Sequence, residues 1–417
     1  MTASTAEQER LKPEFHGWRM VGFASAGVAL TAPGQTAAVS VFIDPMTADL
    51  GISRSAVSTA YLIGTLTGAF ALPFIGKLID RHGVRITMAG IGAVFGAALV
   101  GLSVVTEIVG LTSGFVGIRM AGQGALGLAA STVVSLWFRR KRGAALGVVN
   151  GVGAGFISLS PVLLEQFISA SHWRTAWLLE GLAIWALVIP IALWGMRNRP
   201  EDVGQHVDGM PSSSEAAAEE VGLTRAQALR APFFWVLAGC VATTGMLATA
   251  VGFHQISLLG ERGLSSTEAA ANFLPQTVAG IAATMLMGVL MDRLPARLLI
   301  CASMATLGFG LAWATFVAPG WSALGFGLTL GAAGNAIRTI EAAMTPRVFG
   351  TAHLGAIRGV ITALSVASTA FGPLLFALVH DATGSYSSAL WGSTALPALI
   401  VVAALTAPLP QAALIPR

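Results

Sequence analysis

The sequence predicts an all-α integral membrane protein, and three observations carry that prediction. Hydrophobic residues make up 54% of the 417 positions and charged residues only 11%, against a charged share of roughly 25% in soluble domains. Apolar runs long enough to cross a bilayer, about 20 residues as a helix, recur along the whole chain. The chain also repeats itself. Gly76, Leu78, Asp80, Arg81 and Arg85 reappear 212 positions later as Gly288, Leu290, Asp292, Arg293 and Arg297. Gly143, Gly147 and Val148 return at the same offset as Gly355, Gly359 and Val360, and Pro161 as Pro373. Matches that share one offset, close to half the length, point to two structural halves related by duplication.

Taken in order, residues 1–17 mix Glu7, Glu9, Arg10, Lys12 and Glu14, a polar cytoplasmic tail rather than a cleavable signal peptide. Six spans follow in an N-terminal bundle over 18–195: 18–45, 55–76, 85–105, 109–136, 144–168 and 175–195. The segment 196–231 is a cytoplasmic linker whose run 212–220 is low in complexity, a composition that does not build a packed core. Six more spans form a C-terminal bundle over 232–407: 232–257, 267–290, 298–317, 321–345, 359–380 and 387–407. Residues 408–417 close the chain as a second cytoplasmic tail.

Charge tests this arrangement. With both termini inside, nineteen of the 24 Lys and Arg fall in cytoplasmic segments, and only Arg54, Arg174 and Arg262 fall outside. That bias supports an even number of spans. It also explains the net charge of +4 as a topology signal, so no nucleic-acid partner is expected. Cys240 and Cys301 both lie in apolar segments and imply no disulfide framework. The chain has neither a phosphate-cradling Gly-x-x-x-x-Gly-Lys loop nor a metal-ligand cluster. No enzyme, metal or cofactor is therefore predicted.

Two arginines remain, and both sit inside spans. Arg119 lies in the fourth span and Arg338 in the tenth, where an unpartnered charge costs roughly 3 kcal/mol or more. Gln123 follows Arg119 by four residues; Asn335 precedes Arg338 by three and Glu341 follows it by three, so each set shares a helix face. Arg119 reads either as an anchor for an anion, since guanidinium forks match carboxylates, or as a brace bonded to backbone carbonyls. Arg338 with Glu341 reads either as a substrate and proton relay or as a neutralised pair. His254, near the outer end of the seventh span, is a candidate proton carrier or a satisfied polar residue. Gln35, after Pro33 and Gly34, marks a helix break facing a cavity. Glu165, Glu180, His380 and Asp381 sit near span ends, where solvation is expected.

The repeated loop resembles the signature between the second and third transmembrane helices of the major facilitator superfamily of secondary transporters. The stretches His16 to Arg19, Trp137 to Gly147 and Arg199 to Gly204 are similar to those in bacterial relatives of the monocarboxylate transporters. The resemblance implies twelve helices in two pseudo-symmetric six-helix bundles. It also implies alternating access around a central cavity lined by spans one, four, seven and ten. The sequence departs from the group in span eight, where monocarboxylate and oxalate transporters typically carry an arginine and residues 271–280 hold no basic residue. The Gly-Pro signature of drug–proton antiporters is also missing, Ser160 and Pro161 standing in its place.

Together these readings predict an inner-membrane carrier, expected to act as a monomer, that moves a small monocarboxylate-like anion with a proton. Arg119, Gln123, Arg338, Asn335 and Gln35 are expected to bind substrate, and Glu341 and His254 to carry the proton. The segments with Gly76, Asp80, Arg81 and Arg85, and with Gly288, Asp292, Arg293 and Arg297, are expected to act as gating loops. The rival reading is an importer or exporter of a larger or neutral metabolite, vitamin or drug.

Overall fold

The computed structural model describes residues 15–209, 222–350 and 352–408. Both extreme tails and the 212–220 part of the linker lie outside the described residues. Nine helices among the described residues are individually long and apolar enough to cross a membrane. One of these, Arg54–Ser103, is two spans joined at Gly83. The helix over 108–137 and the helix Trp321–Phe349 complete twelve, and these two carry the intramembrane arginines.

In chain order they are α1 (Gly17–Leu50), α2 (54–82), α3 (84–103), α4 (108–137), α5 (Arg142–Ala170) and α6 (Trp173–Gly195). The second six are α7 (Pro232–Gly260), α8 (Ser266–Leu290), α9 (Ala296–Ala314), α10 (Trp321–Phe349), α11 (Leu354–Thr383) and α12 (Ser387–Thr406). Helix α1 is broken at Ala32–Gly34, where Pro33 lacks the N–H that would continue the ladder. Two boundaries correct the sequence reading. The segment 76–85 is no open loop: helical geometry runs on either side of Gly83, whose φ of 80° alone turns the chain. Helix α11 begins at Leu354, five residues before the predicted start, and so takes in Arg358.

The core divides in two. One apolar cluster draws on Met20 to Met196, the other on Ala228 to Ala407, and each takes a single residue from the opposite half, Phe253 and Val41. Large apolar side chains such as Phe70, Phe74 and Trp321 remain 70–87% exposed, which suits a surface that meets lipid rather than water.

Close packing within each half follows the repeat with one part exchanged, since Gly68 recurs as Gly280 but Gly64 does not recur as glycine. Small residues let helices in lipid approach backbone to backbone. In the first half the glycines are on α2: a Cβ on Gly64 would fall 2.8 Å from the Phe115 backbone, and one on Gly68 3.1 Å from Met120 N. In the second half the tightest contact is provided by α10, where a Cβ on Gly331 would lie 2.0 Å from the Gln276 carbonyl oxygen. Gly64 and Gln276 are 212 positions apart, as are Arg119 and Gly331. The second half therefore carries a glycine where the first carries its buried arginine.

Candidate functional site

Between the halves lies a cavity with two lobes that share Val241 and Arg338 in their walls. One lobe, of about 300 Å³, is lined by Gln35, Thr36, Gln276 and Asn335. The other, of about 400 Å³, is lined by Arg119, Gln123, Glu341 and Arg358.

Arg119 enters this wall from α4, where residues Arg119–Leu126 widen into i→i+5 turns, a form common at functional sites. Gly34 of the α1 break abuts that segment so closely that a Cβ there would stand 2.6 Å from the Ile118 carbonyl oxygen and 2.9 Å from Gly122 Cα. The break leaves the Gly34 carbonyl without a helical partner, and Arg119 Nη1 donates to it at 3.0 Å. Arg119 Nε donates to Thr65 Oγ1 at 3.0 Å, and its guanidinium carbon lies 4.4 Å from the centre of the Tyr61 ring. The residue is 2% exposed. The guanidinium thus ties α1, α2 and α4 together and satisfies a carbonyl that would otherwise be orphaned.

Arg338 is placed differently. It is exposed to the cavity, lines both lobes, and makes no hydrogen bond or ion pair among the described residues. Asn335, one turn earlier, donates to the Gly331 carbonyl at 3.3 Å, and Gln35 Nε2 donates to Thr31 Oγ1 at 3.0 Å. Gln123 is exposed on the wall of the larger lobe.

The expected pairing of Arg338 with Glu341 is corrected. Arg358 Nε and Nη2 donate to the two carboxylate oxygens of Glu341 at 3.0 and 3.1 Å, and Thr345 Oγ1 adds a bond at 3.2 Å. Arg358 reaches Glu341 because α11 starts early and faces α10. A signal for it stood in the sequence: Arg358, Thr362, Ser365 and Thr369 recur at helical spacing and line the larger lobe together, a polar stripe on an otherwise apolar helix. The cavity charges are therefore Arg119, Arg338 and Arg358 against Glu341.

His254 is 1% exposed and lies outside the walls of both lobes. Its Nε2 faces the Pro373 carbonyl at 2.9 Å and its Nδ1 the Tyr386 hydroxyl at 3.1 Å. A carbonyl can only accept, so Nε2 carries a hydrogen and both ring nitrogens are engaged. Each repeated segment is tied within its own half. Asn198 Oδ1 accepts from the Arg85 N–H at 2.9 Å, and a Cβ on Gly83 would meet that amide at 2.6 Å. Asp292 pairs with Arg347 at 2.7 Å, and Arg297 donates to the Ala407 carbonyl. Gly76, Asp80, Arg81, Gly288 and Arg293 make no hydrogen bond or ion pair across the halves among the described residues.

The halves meet instead at the opposite end. The Ser55 N–H donates to Asp381 Oδ2 at 3.3 Å, and the Tyr61 and Phe253 rings lie 4.5 Å apart. A polar cavity between two repeated six-helix bundles, joined at one end, is the arrangement of an alternating-access carrier. The family model described as Major Facilitator Superfamily matches residues 20–279. The chain belongs to that superfamily. That superfamily is one of multi-pass membrane carriers for small molecules rather than enzymes.

Among known proteins, the chain is 29% identical to the uncharacterised transporter YcxA of Bacillus subtilis (strain 168) over 163 residues, 38% of this chain and 39% of that one. It is 26% identical to the oxalate:formate antiporter of Oxalobacter formigenes over 199 residues, 48% of this chain and 45% of that one. The chain thus spans less than half the length of these curated relatives. In fold it is similar to a bacterial homologue of the human lysosomal transporter Spinster, solved inward-facing and unoccupied. That likeness has a TM-score of 0.68 at 16% identity, over 94% of this chain and 95% of that one.

Proposed function

We propose that this carrier moves a small organic anion of monocarboxylate type together with a proton. The observation that carries the reading is Arg338, a guanidinium without a partner where both cavity lobes meet. The neighbouring carboxylate, Glu341, is already neutralised by Arg358. A cavity with three arginines and one glutamate attracts an anion, and a free planar fork suits a carboxylate. Gln35, Asn335 and Gln123 contribute neutral hydrogen bonds around it, and Arg119 contributes charge while holding the α1 break in place.

Proton coupling follows from the Glu341–Arg358 pair. When Glu341 takes up a proton its carboxylate no longer holds Arg358, and the freed fork receives the substrate carboxylate. One proton and one anion enter together, so no net charge builds up inside the cavity. His254 serves in this reading as a fixed joint between α7 and α11. The basic segments around Asp80 and Asp292 gather at the end opposite the Ser55–Asp381 contact, which supports an inner-membrane orientation with both termini cytoplasmic and the cavity facing inward. The segments then act as latches that engage across the halves when the cavity faces out, each half of the monomer moving as a unit around the site. The relative named as an oxalate:formate antiporter supports a carboxylate cargo.

The test is substrate-driven acidification of proteoliposomes loaded with a pH-reporting dye, against protein-free liposomes, with lactate, pyruvate, formate and oxalate outside. Acidification above the control, lost in Arg338→Gln, is the expected result. A flat response to every acid, with saturable uptake of an uncharged compound that survives Arg338→Gln, would establish the neutral-substrate reading instead.

A further inference from the structure

Helix α6 carries a polar column, buried at its two tryptophans and half-buried at its glutamate, that the central cavity does not use. Trp173, Trp177 and Glu180 follow one another at four and three residues, which sets them on one face of the helix. The indole Nε1 atoms of both tryptophans and Oε2 of Glu180 are enclosed, and each lacks a hydrogen-bond partner. Three such atoms in a row are unusual, because buried polar groups in folded proteins are nearly always partnered. The face is turned into the bundle: Trp173 and Trp177 are 2% and 0% exposed, and the Trp177 ring stacks on Phe42 of α1 at 3.8 Å. Glu180 therefore does not have the solvated position expected from its place near a span end.

The upper end of the column opens on a cleft of about 360 Å³, lined by Asp49, His172 and Trp173. Asp49 is paired with Arg174, whose guanidinium carbon lies 4.2 Å from the centre of the Trp173 ring. The Trp173 N–H faces Asp49 without reaching hydrogen-bond geometry. Glu180 lies seven residues further on, roughly 10 Å along the helix axis. The helices packed on α6 bring no ion pair to it. Asp44 of α1 is bonded to Arg54, Glu165 of α5 accepts from Ser169, and α3 has no charged residue from Ile86 to Ser103.

We propose that Glu180 is a proton-binding site, loaded from the Asp49–His172 cleft along the Trp173 and Trp177 face. An ionised carboxylate with one oxygen enclosed and unpartnered is costly, and the neutral acid less so. Indole N–H groups donate and do not accept, so the Trp177 N–H, one turn before the acid, holds a water oxygen and leaves water protons directed at the carboxylate, while the Trp173 N–H is turned to Asp49 in the cleft. The step is simple: a proton from water in the cleft adds to a Glu180 oxygen, and its loss reverses the step. The cleft is at the end where the halves meet, so Glu180 exchanges protons with the face opposite the one the cavity opens to. Only the naming of that face as outer rests on the orientation proposed above.

The test is labelling by dicyclohexylcarbodiimide, an apolar reagent that adds to protonated carboxyls, on the full-length protein in right-side-out membrane vesicles, read by peptide mass spectrometry. The expected result is an adduct on Glu180 at neutral pH that falls roughly tenfold for each outer pH unit above its midpoint, while the same change made inside leaves it unaltered. A matching carboxylic-acid band in the infrared spectrum is expected to vanish in Glu180→Gln and to persist, shifted, in Glu180→Asp. An unlabelled Glu180 alongside other labelled acids overturns the proposal, and so does labelling that ignores pH or follows the inner side. The labelling is read on the unaltered protein and needs no transported substrate, so its failure leaves the anion reading standing.

Discussion

Replacing Glu341 by glutamine keeps the side-chain shape and removes the charge, so it mimics the protonated state on which the coupling argument depends. Wild-type Glu341 holds Arg358 through two bonds of 3.0 and 3.1 Å. The cost of freeing Arg358 sets the size of the effect. Breaking a fully buried pair costs about 3–5 kcal/mol, while an exposed pair is worth about 0–1 kcal/mol. Here the glutamate side chain is 11% exposed and the arginine 44%, so water screens one partner and the pair falls between those limits, at about 1–2 kcal/mol. An anion that displaces Glu341 in the wild type meets no such competitor in the variant. Its affinity at neutral pH is then expected to rise about 5–30-fold and to lose its dependence on pH. The assay is counterflow exchange and substrate-driven acidification in proteoliposomes, using whichever acid the panel identifies. Exchange should survive in Glu341→Gln while net acidification disappears. Unchanged affinity with intact acidification would refute the competition between Glu341 and the substrate for Arg358.

Four further outcomes follow from the geometry. Arg119→Gln should lower thermal stability in detergent, because it removes two charge-assisted bonds worth about 1.5–3 kcal/mol each, whereas Arg338→Gln should abolish uptake with the melting temperature unchanged; equal melting shifts would contradict this separation. Gly331→Ala forces a Cβ to within 2.0 Å of the Gln276 carbonyl oxygen and should cost about 1–3 kcal/mol as overpacking, read as a lower melting temperature, while Gly334→Ala, which meets nothing within 4 Å, should not. Gln35→Ala and Gln123→Ala each remove a neutral hydrogen bond of about 0.5–1.5 kcal/mol, so KM should rise by roughly ten-fold or less while transport persists. Burial acts to raise the pKa of Asp208, but the backbone N–H groups of Arg140, Arg139 and Lys141 outweigh it and hold the carboxyl below its ordinary value of 3.8. Since the folded state depresses this pKa, its stabilising contribution is full above that value and is lost as pH falls through the folded one. Proteolysis of the 138–142 loop should therefore accelerate in acid, and Asp208→Asn should cleave quickly at every pH.

The fold was legible because its signals are physical and repeated. Apolar length fixes each span, basic segments fix the sides, and the 212-residue offset joins the halves. What escaped the sequence depends on how helices meet. The sequence reading places Arg358 in a loop because it starts the span after the charge, whereas α11 begins at the apolar turn Leu354 to Ile357 and carries Arg358 next. Spacing matches Glu341 to Arg338 because three residues set two side chains on one face. The partner that wins is on another helix, at a distance no spacing encodes. His254 was a proton candidate by residue type, yet both ring nitrogens are engaged by a carbonyl and a hydroxyl from α11 and the segment before α12. The break at Pro33 and Gly34 was visible in sequence, whereas the guanidinium that satisfies its free carbonyl was not.

The duplication also explains why one arginine braces and another stands free. In the first half the approach of α2 to α4 uses glycines on α2, which leaves α4 able to carry Arg119 at the crossing. There the guanidinium is caught by Thr65, Gly34 and Tyr61. In the second half the corresponding place on α10 is Gly331, pressed against the α8 backbone, and no side chain fits. The C-terminal arginine must therefore lie elsewhere on the helix, and seven residues on, about two turns, Arg338 emerges beyond the contact with α8 into the cavity. A charge bound into a helix crossing cannot exchange partners without loosening the bundle, while a charge beyond the crossing can. The half that gave up its arginine at the crossing is the half that carries Arg338, Arg358 and Glu341, and so the half in which charge can change hands during transport.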